Sequence, residues 1–355
     1  MPGSSTFLQA CAREPVSTVP VWYMRQAGRY QPEYRKVREK YSLLEIVRHP
    51  EICFQVTKLP VDQLNVDAAI LFSDIMVPVG PLGVKFDIKE HVGPVIESPV
   101  RSAADVDRLH LYDPNIELPY VMETIRMLAN DLPVPLIGFT GGPFTLASYM
   151  IEGGPSRNYV RTKQLMWSEP AVWHTLMDKL AEMNIAYLTA QIQAGASAVQ
   201  LFDSWVGHLA PEDFERYVLP AVQKMFTALR PLGVPLIYSG VITGELLPLI
   251  AQSGATVVSI DWRVPIPEAR KRLGSHIAIQ GNLDPVLLFA PWQELERRAR
   301  AVVDAGIAGP GFIFNLGHGV VHNNPTIETA TLARLTEFVH EYSRERLAQG
   351  AADWV

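Results

Sequence analysis

Eight short apolar runs, each ending in a glycine or a polar residue, recur along the chain. They cover residues 19–24, 68–72, 135–139, 198–202, 235–238, 257–260, 277–279 and 311–314. Most are apolar on both faces, as parallel strands are when layers cover them on either side. Helical periodicity fills the spaces between them: 51–64, 116–128, 171–193, 211–229, 245–252, 267–273, 292–304 and 326–347. In 171–193, Leu176, Met177, Leu180, Met183, Ala186 and Tyr187 fall mostly at three- and four-residue steps, the period of one helix face. At 211 a proline stands beside Glu212 and Asp213, which suits a helix N-terminus. Strand and helix alternate to the end, the pattern of a parallel α/β fold.

Eight such units predict a closed (β/α)8 barrel of the TIM type. An open doubly wound sheet is the alternative on pattern alone. A dinucleotide fold of that kind wants Gly-x-Gly-x-x-Gly after its first strand. Here Met24-Arg25-Gln26-Ala27-Gly28-Arg29 follows, with one glycine. Two segments exceed the minimal repeat. In 77–100, Val84, Phe86 and Ile88 alternate with charged residues, and Val95-Ile96 follows a Gly93-Pro94 break. This predicts a β-hairpin inserted after strand 2. Residues 144–167 predict an extra helical piece broken at Gly153-Gly154-Pro155. Insertions after strands fall on the face where barrels keep their chemistry.

Composition narrows the partners. A net charge of -6 argues against a nucleic acid or membrane surface held by bulk charge. Cys11 and Cys53 are far apart and do not make a disulfide framework. Residues 1–18 hold no signal-peptide apolar core, and no run of about 18 uncharged apolar residues occurs. The expectation is a soluble, cytoplasmic protein.

The strand ends collect polar residues: Arg25 and Arg29, Ser73-Asp74, Thr140-Gly141-Gly142, Asp203-Ser204, Ser239-Gly240, Asp261, Gly281-Asn282, and Asn315-Leu316-Gly317-His318-Gly319. In a (β/α)8 barrel those ends form the active-site face. One polar strand end means little, because such residues are common wherever a strand stops. Two of these ends say more. An arginine at the end of a buried strand is costly unless it meets an anion. A histidine between two glycines is free to project into the cleft. Residues 25–40 carry six basic residues against Glu33 and Glu39, an excess of four positive charges. Lys36 and Lys40 read as a solvated helix face, whereas Arg25 and Arg29 precede the helix beside the strand. A guanidinium fork suits a carboxylate or a phosphate. A basic pocket in a net-acidic chain predicts a small, strongly anionic ligand. Metal chemistry is weakly supported. His318 and His322 are four apart, but the loop Asn323-Asn324-Pro325 beside them is no metalloprotease helix. Ser204 lies outside any Gly-x-Ser-x-Gly elbow.

The segment Pro20-Val21-Trp22-Tyr23-Met24-Arg25-Gln26-Ala27-Gly28-Arg29-Tyr30 resembles the N-terminal signature of the uroporphyrinogen decarboxylase family. Gly138-Phe139-Thr140-Gly141-Gly142-Pro143-Phe144-Thr145-Leu146, with Tyr149 and Glu152-Gly153, resembles its second signature. Phe72-Ser73-Asp74, Phe202-Asp203-Ser204-Trp205 and Asn315-Leu316-Gly317-His318-Gly319 resemble three further blocks in the same order. The resemblance runs from about Phe7 to about Arg344. It implies one distorted barrel domain over residues 1–355, a homodimer, and no metal or organic cofactor. It also implies the substrate: uroporphyrinogen, whose four acetate arms lose CO2 to give coproporphyrinogen in tetrapyrrole biosynthesis.

Residue by residue, Arg25 and Arg29 resemble the carboxylate-binding arginines, and Gln26, Ala27 and Gly28 the rest of that loop. Asp74 resembles the aspartate that meets the pyrrole N–H groups, with Ile70 and Phe72 as its apolar collar. Tyr149, Ser204 and His318 resemble the groups that hydrogen-bond peripheral carboxylates. Asp74 and Arg25 are the catalytic candidates, Arg25 by positioning the reacting carboxylate and by proton delivery. Val206 departs from the pattern, where a smaller residue is expected. Two other readings use the same barrel or pocket. A corrinoid or zinc methyltransferase would need thiolate or imidazole ligands at strand ends, and neither cysteine lies at one. A tetrapyrrole carrier would keep the arginines without needing Asp74.

Overall fold

The computed structural model describes residues 5–89, 92–321 and 326–350. Nine strands appear: β1 (Ala69–Ile70), β2 (Phe86–Lys89), β3 (Gly93–Ile96), β4 (Leu136–Gly141), β5 (Ala198–Asp203), β6 (Leu236–Gly240), β7 (Val257–Ser259), β8 (Ala278–Leu283) and β9 (Phe312–Leu316). Seven of them form one parallel sheet in the order β1-β4-β5-β6-β7-β8-β9. Every residue of β4, β5, β6, β8 and β9 is buried. That explains why these runs carry no polar alternation.

The first apolar run forms a stave without a ladder. Val21 makes a single parallel bridge to Phe314. Phe314 N donates to Pro20 O (2.9 Å), and Trp22 N to Phe314 O (3.3 Å). On the other side Asp67 N donates to Val21 O at 2.7 Å, while Val21 N donates to Asp67 Oδ2 at 2.7 Å. The segment thus joins β9 to the residues before β1 and closes the ring as its eighth stave. Two local causes prevent a longer ladder. Pro20 has no N–H to give, and Val21 gives its own to a side chain. His340 Nε2, on the C-terminal helix Thr329–Gly350, meets the same Asp67 Oδ2 at 2.7 Å.

The helices follow the apolar periodicity except where proline intervenes. The helix expected over 116–128 is two pieces, Pro114–Glu117 and Pro119–Asp131. Leu118, before Pro119, sits at φ -127°, ψ 43°, outside the helical region that a following proline disfavours. The helix expected over 211–229 divides into Pro211–Tyr217 and Leu219–Leu229, since Pro220 cannot continue the ladder. Helix Pro170–Ala194 is unbroken and buries Leu176, Met177, Leu180, Met183 and Tyr187.

The inserted hairpin is the antiparallel pair β2–β3, with Phe86 opposite Ile96 and Lys89 opposite Gly93. The extra helical piece is two helices, Pro143–Glu152 and Val160–Ser168, the first ending on Gly153 at φ 88°. The insertions hold each other: Ile96 N donates to Gly153 O (2.9 Å) and Val100 N to Met150 O (2.9 Å). No described helix is long and apolar enough to cross a membrane.

Candidate active site

The loop after the first stave is fastened from within. Arg25 adopts a left-handed φ of 61°, uncommon for a residue other than glycine. The turn closes by Gln26 N donating to Tyr23 O (2.9 Å). The Gln26 side chain is wholly buried. Its Oε1 accepts from Tyr23 N (3.1 Å) and its Nε2 donates to Ala68 O (3.2 Å). Tyr30 Oη donates to Gln26 O. Gly28 N donates to Gln31 Oε1 at 3.0 Å. Arg35 Nη1 clamps Arg29 O (2.8 Å) and Tyr30 O (3.1 Å). Gln26 therefore holds the loop together, and Arg25 remains exposed. Arg35 is a brace that the sequence did not single out, while Lys36 and Lys40 are exposed as expected.

That loop lies on the segment after β9. Met24 N donates to Asn315 Oδ1 (3.1 Å), and Val320 N to Met24 O (2.9 Å). The two glycines around His318 act by close approach rather than by flexibility. A Cβ on Gly319 would stand 2.5 Å from Arg25 Cδ, and one on Gly317 would stand 2.7 Å from Trp262 N.

Asp74 sits in the turn after β1, its Oδ1 accepting from Met76 N at 2.9 Å. Burial pushes its carboxyl above the usual range, against the Met76 N–H and the Arg25 charge, which pull it down. Phe72 is held just before it: its N–H donates to Thr57 Oγ1 (3.0 Å) and its carbonyl accepts the Cys53 thiol (3.1 Å). The Phe72 ring meets Tyr34 edge-on at 5.6 Å. Burial raises the Tyr34 phenol, and the Arg38 guanidinium and then the Arg29 charge lower it.

Tyr149 comes from helix Pro143–Glu152 and packs its ring on Trp205 at 4.0 Å. Burial and then the Asp74 carboxylate push its phenol up, while Arg25 lowers it. His318 is pushed down to about 4, by burial first and the Arg25 charge second, so its imidazole is neutral at neutral pH. Arg25, Asp74, Tyr149 and His318 thus share one electrostatic neighbourhood. Ser204 and His318 line a cavity of about 10 Å³ with Met24, Gln200 and Asn315.

Asp203, a polar strand end in the sequence, organises the next turn. It is fully buried. Its Oδ1 accepts from Thr145 N (3.0 Å) and Thr145 Oγ1 (2.7 Å), and its Oδ2 from Tyr238 Oη (3.0 Å). Thr145 Oγ1 in turn accepts from Trp205 N at 3.2 Å. Asp203 therefore sets the Ser204-Trp205 turn, and burial pushes its carboxyl up to about 6.

Among the described residues no group of three or more His, Cys, Asp or Glu side chains is placed to hold a metal ion. His322 lies outside the described residues. Both cysteines are buried. Burial raises both thiols, Cys53 to about 12, so neither offers a thiolate at neutral pH.

A family model described as uroporphyrinogen decarboxylase (URO-D) matches residues 3–342. A uroporphyrinogen decarboxylase of Bacillus mycoides (strain KBAB4) is 55% identical over 347 residues, 98% of this chain and 99% of that protein. One from Bacillus thuringiensis (strain Al Hakam) is 54% identical over the same shares. Among solved structures, a methyltransferase from Methanosarcina mazei superposes with a TM-score of 0.79 at 19% identity, covering 94% of this chain and 97% of that one. At that identity it speaks for the barrel alone. The model match over nearly the whole length and the relatives at 55% identity place this chain in the uroporphyrinogen decarboxylase family.

Proposed function

We propose that the cleft takes CO2 from the four acetate arms of uroporphyrinogen, giving coproporphyrinogen, with Asp74 and Arg25 as its catalytic residues. The observation that carries this reading is a half-buried carboxylate, Asp74, under the influence of an exposed arginine, Arg25. Loss of CO2 from a pyrrole acetate leaves a carbanion with no electron sink. Protonation of the ring carbon first supplies one. The C–CO2 bond then breaks, and its electron pair neutralises the cationic ring. The methylene carbon takes a proton and the ring carbon gives one back, so each arm consumes one proton overall.

Asp74, ionised, accepts hydrogen bonds from the pyrrole N–H groups. It favours the cationic ring more than the neutral one, which is the differential binding that lowers a barrier. Arg25 and Arg29 bind carboxylates, Arg25 the reacting one, with Gln26, Ala27 and Gly28 carrying both on a braced loop. Tyr149, Ser204 and neutral His318 give hydrogen bonds to peripheral carboxylates. Ile70 and Phe72 flank Asp74 and keep water from it. The zinc methyltransferase reading lacks support, because both thiols are buried and protonated.

We assign the chain further to one domain over residues 1–355, a cytoplasmic location and a homodimer, on the family resemblance. Light scattering at micromolar concentration tests the dimer. The activity is tested by anaerobic incubation of chelator-treated protein with uroporphyrinogen III, followed by oxidation and chromatography. Products stepping from eight carboxyls to four are expected. Unchanged substrate from folded protein would overturn the reading.

A further inference from the structure

Below the mouth of the barrel, hydrogen-bond polarity is forced in one direction. The Trp22 indole can only donate. Its Nε1 lies 2.9 Å from Gln280 Oε1, so that oxygen accepts. Gln280 Nε2 must then donate, and it does, to Gln200 Oε1 at 3.1 Å. Gln200 Nε2 is left with no acceptor among the described residues, and Gln200 lines the small cavity under Ser204 and His318.

Asn315 reaches the same cavity by a separate route. Its Oδ1 accepts from two backbone donors, Met24 N (3.1 Å) and Leu316 N (2.8 Å). Flipping the amide would set its NH2 against both donors, so its orientation is decided by chemistry. Asn315 is 1% exposed, and its Nδ2 is buried without a partner. A buried donor left unpaired is costly. Two amide donors of fixed orientation therefore share one cavity of about 10 Å³, roughly the space of a single water.

We propose that Asn315 and Gln200 hold one water in this cavity by its lone pairs, turning its hydrogens toward the substrate carboxylate received by Ser204 and His318. The water accepts twice from below, which leaves both its hydrogens to give to acceptors on the other side. The chain Trp22–Gln280–Gln200–water is polarised in one sense, and each bond strengthens the next. Asn315 and Gln200 then act on the substrate through the water, as positioning residues for an anionic arm. This rests on the decarboxylase reading above.

Asn315→Asp is the discriminating change. It has the same shape and keeps an oxygen for Met24 N and Leu316 N, but it replaces the donor facing the water with an oxygen. KM for uroporphyrinogen should rise about 10-fold or more at neutral pH; because a carboxylate at a buried position also costs stability, the assay is run well below the variant's melting temperature. The deficit should shrink as the pH falls and the new carboxyl takes up a proton. An unchanged KM beside an active wild type would overturn the proposal, whereas an inactive wild type would overturn the decarboxylase reading instead. If the variant does not fold, a high-resolution crystal structure of the wild type decides. An ordered water about 3 Å from both Asn315 Nδ2 and Gln200 Nε2 supports the proposal, and a dry cavity overturns it.

Discussion

The side chain of Arg25 lies across Gly319 so closely that a single methyl group there would stand 2.5 Å from Arg25 Cδ and 2.8 Å from its Cγ. The contact joins the loop after the first stave to the loop after the last. It sets where the guanidinium can stand. Gly319→Ala should displace Arg25 and lower kcat/KM by about 10²-fold, the scale of a small misplacement in a positioned site. Steady-state assays beside thermal melts check this. Wild-type kinetics in the alanine variant would mean that the position of Arg25 does not matter.

Asp74→Asn keeps the size of the side chain and removes its charge. The neutral amide still meets the Met76 N–H but no longer stabilises a cationic ring. Turnover should fall by about 10²-fold or more, while substrate affinity changes less. Single-turnover measurements separate the two. Near wild-type turnover would remove Asp74 from the chemistry.

His318 makes stability depend on acid. Its folded-state value is about 4, against an ordinary 6.5. Between those pH values the unfolded chain binds a proton that the folded chain does not. Stability therefore falls as the pH drops from about 6.5 toward 4. His318→Gln should flatten this limb in denaturant titrations at several pH values. An unchanged slope would show that His318 does not titrate in this way.

Asp203 works in the opposite sense. Its folded value of about 6 lies above the ordinary 3.8, so its contribution is present at low pH and is lost as the pH rises through 6. Asp203→Asn keeps an oxygen for Thr145 but turns an NH2 toward Tyr238 Oη, which must then accept instead of donate, and should cost about 1 kcal/mol of stability at neutral pH. Activity should fall with it, because the Ser204-Trp205 turn hangs from Thr145. Urea melts and assays on the same preparation test both. An unaltered melt would leave Asp203 without its structural role.

The polar ends of the strands were legible because buried runs stop abruptly at Asp74, at Asp203 and before His318. Arg25 stood out as a cation beside a buried strand, although the structure leaves it exposed rather than buried. The proline breaks at Leu118 and Val218 were also in view, as Pro119 and Pro220, but periodicity carried the expected helices across them. What could not be read was polarity between distant partners. Asp203 acts through Thr145, 58 residues away, and Asn315 through Met24, 291 residues away. No local pattern reports such pairs. The glycines of Gly317-His318-Gly319 were legible as glycines, yet their reason lay in Trp262 and Arg25.

The closure of the ring also sets an order of assembly. The stave that leads into the arginine loop precedes in the chain every residue that fastens it. Its fastenings are Phe314 on β9, Asp67, and through Asp67 the His340 imidazole. Two of those three lie far downstream of the stave, Phe314 on the last strand of the sheet and His340 past all the strands. A nascent polypeptide can fold the middle of its sheet during synthesis, but it holds the loop of Arg25 and Arg29 unlatched until the helix Thr329–Gly350 has emerged. The arginine loop is therefore made before the elements that latch it, and it is locked only once β9 and the helix Thr329–Gly350 have formed.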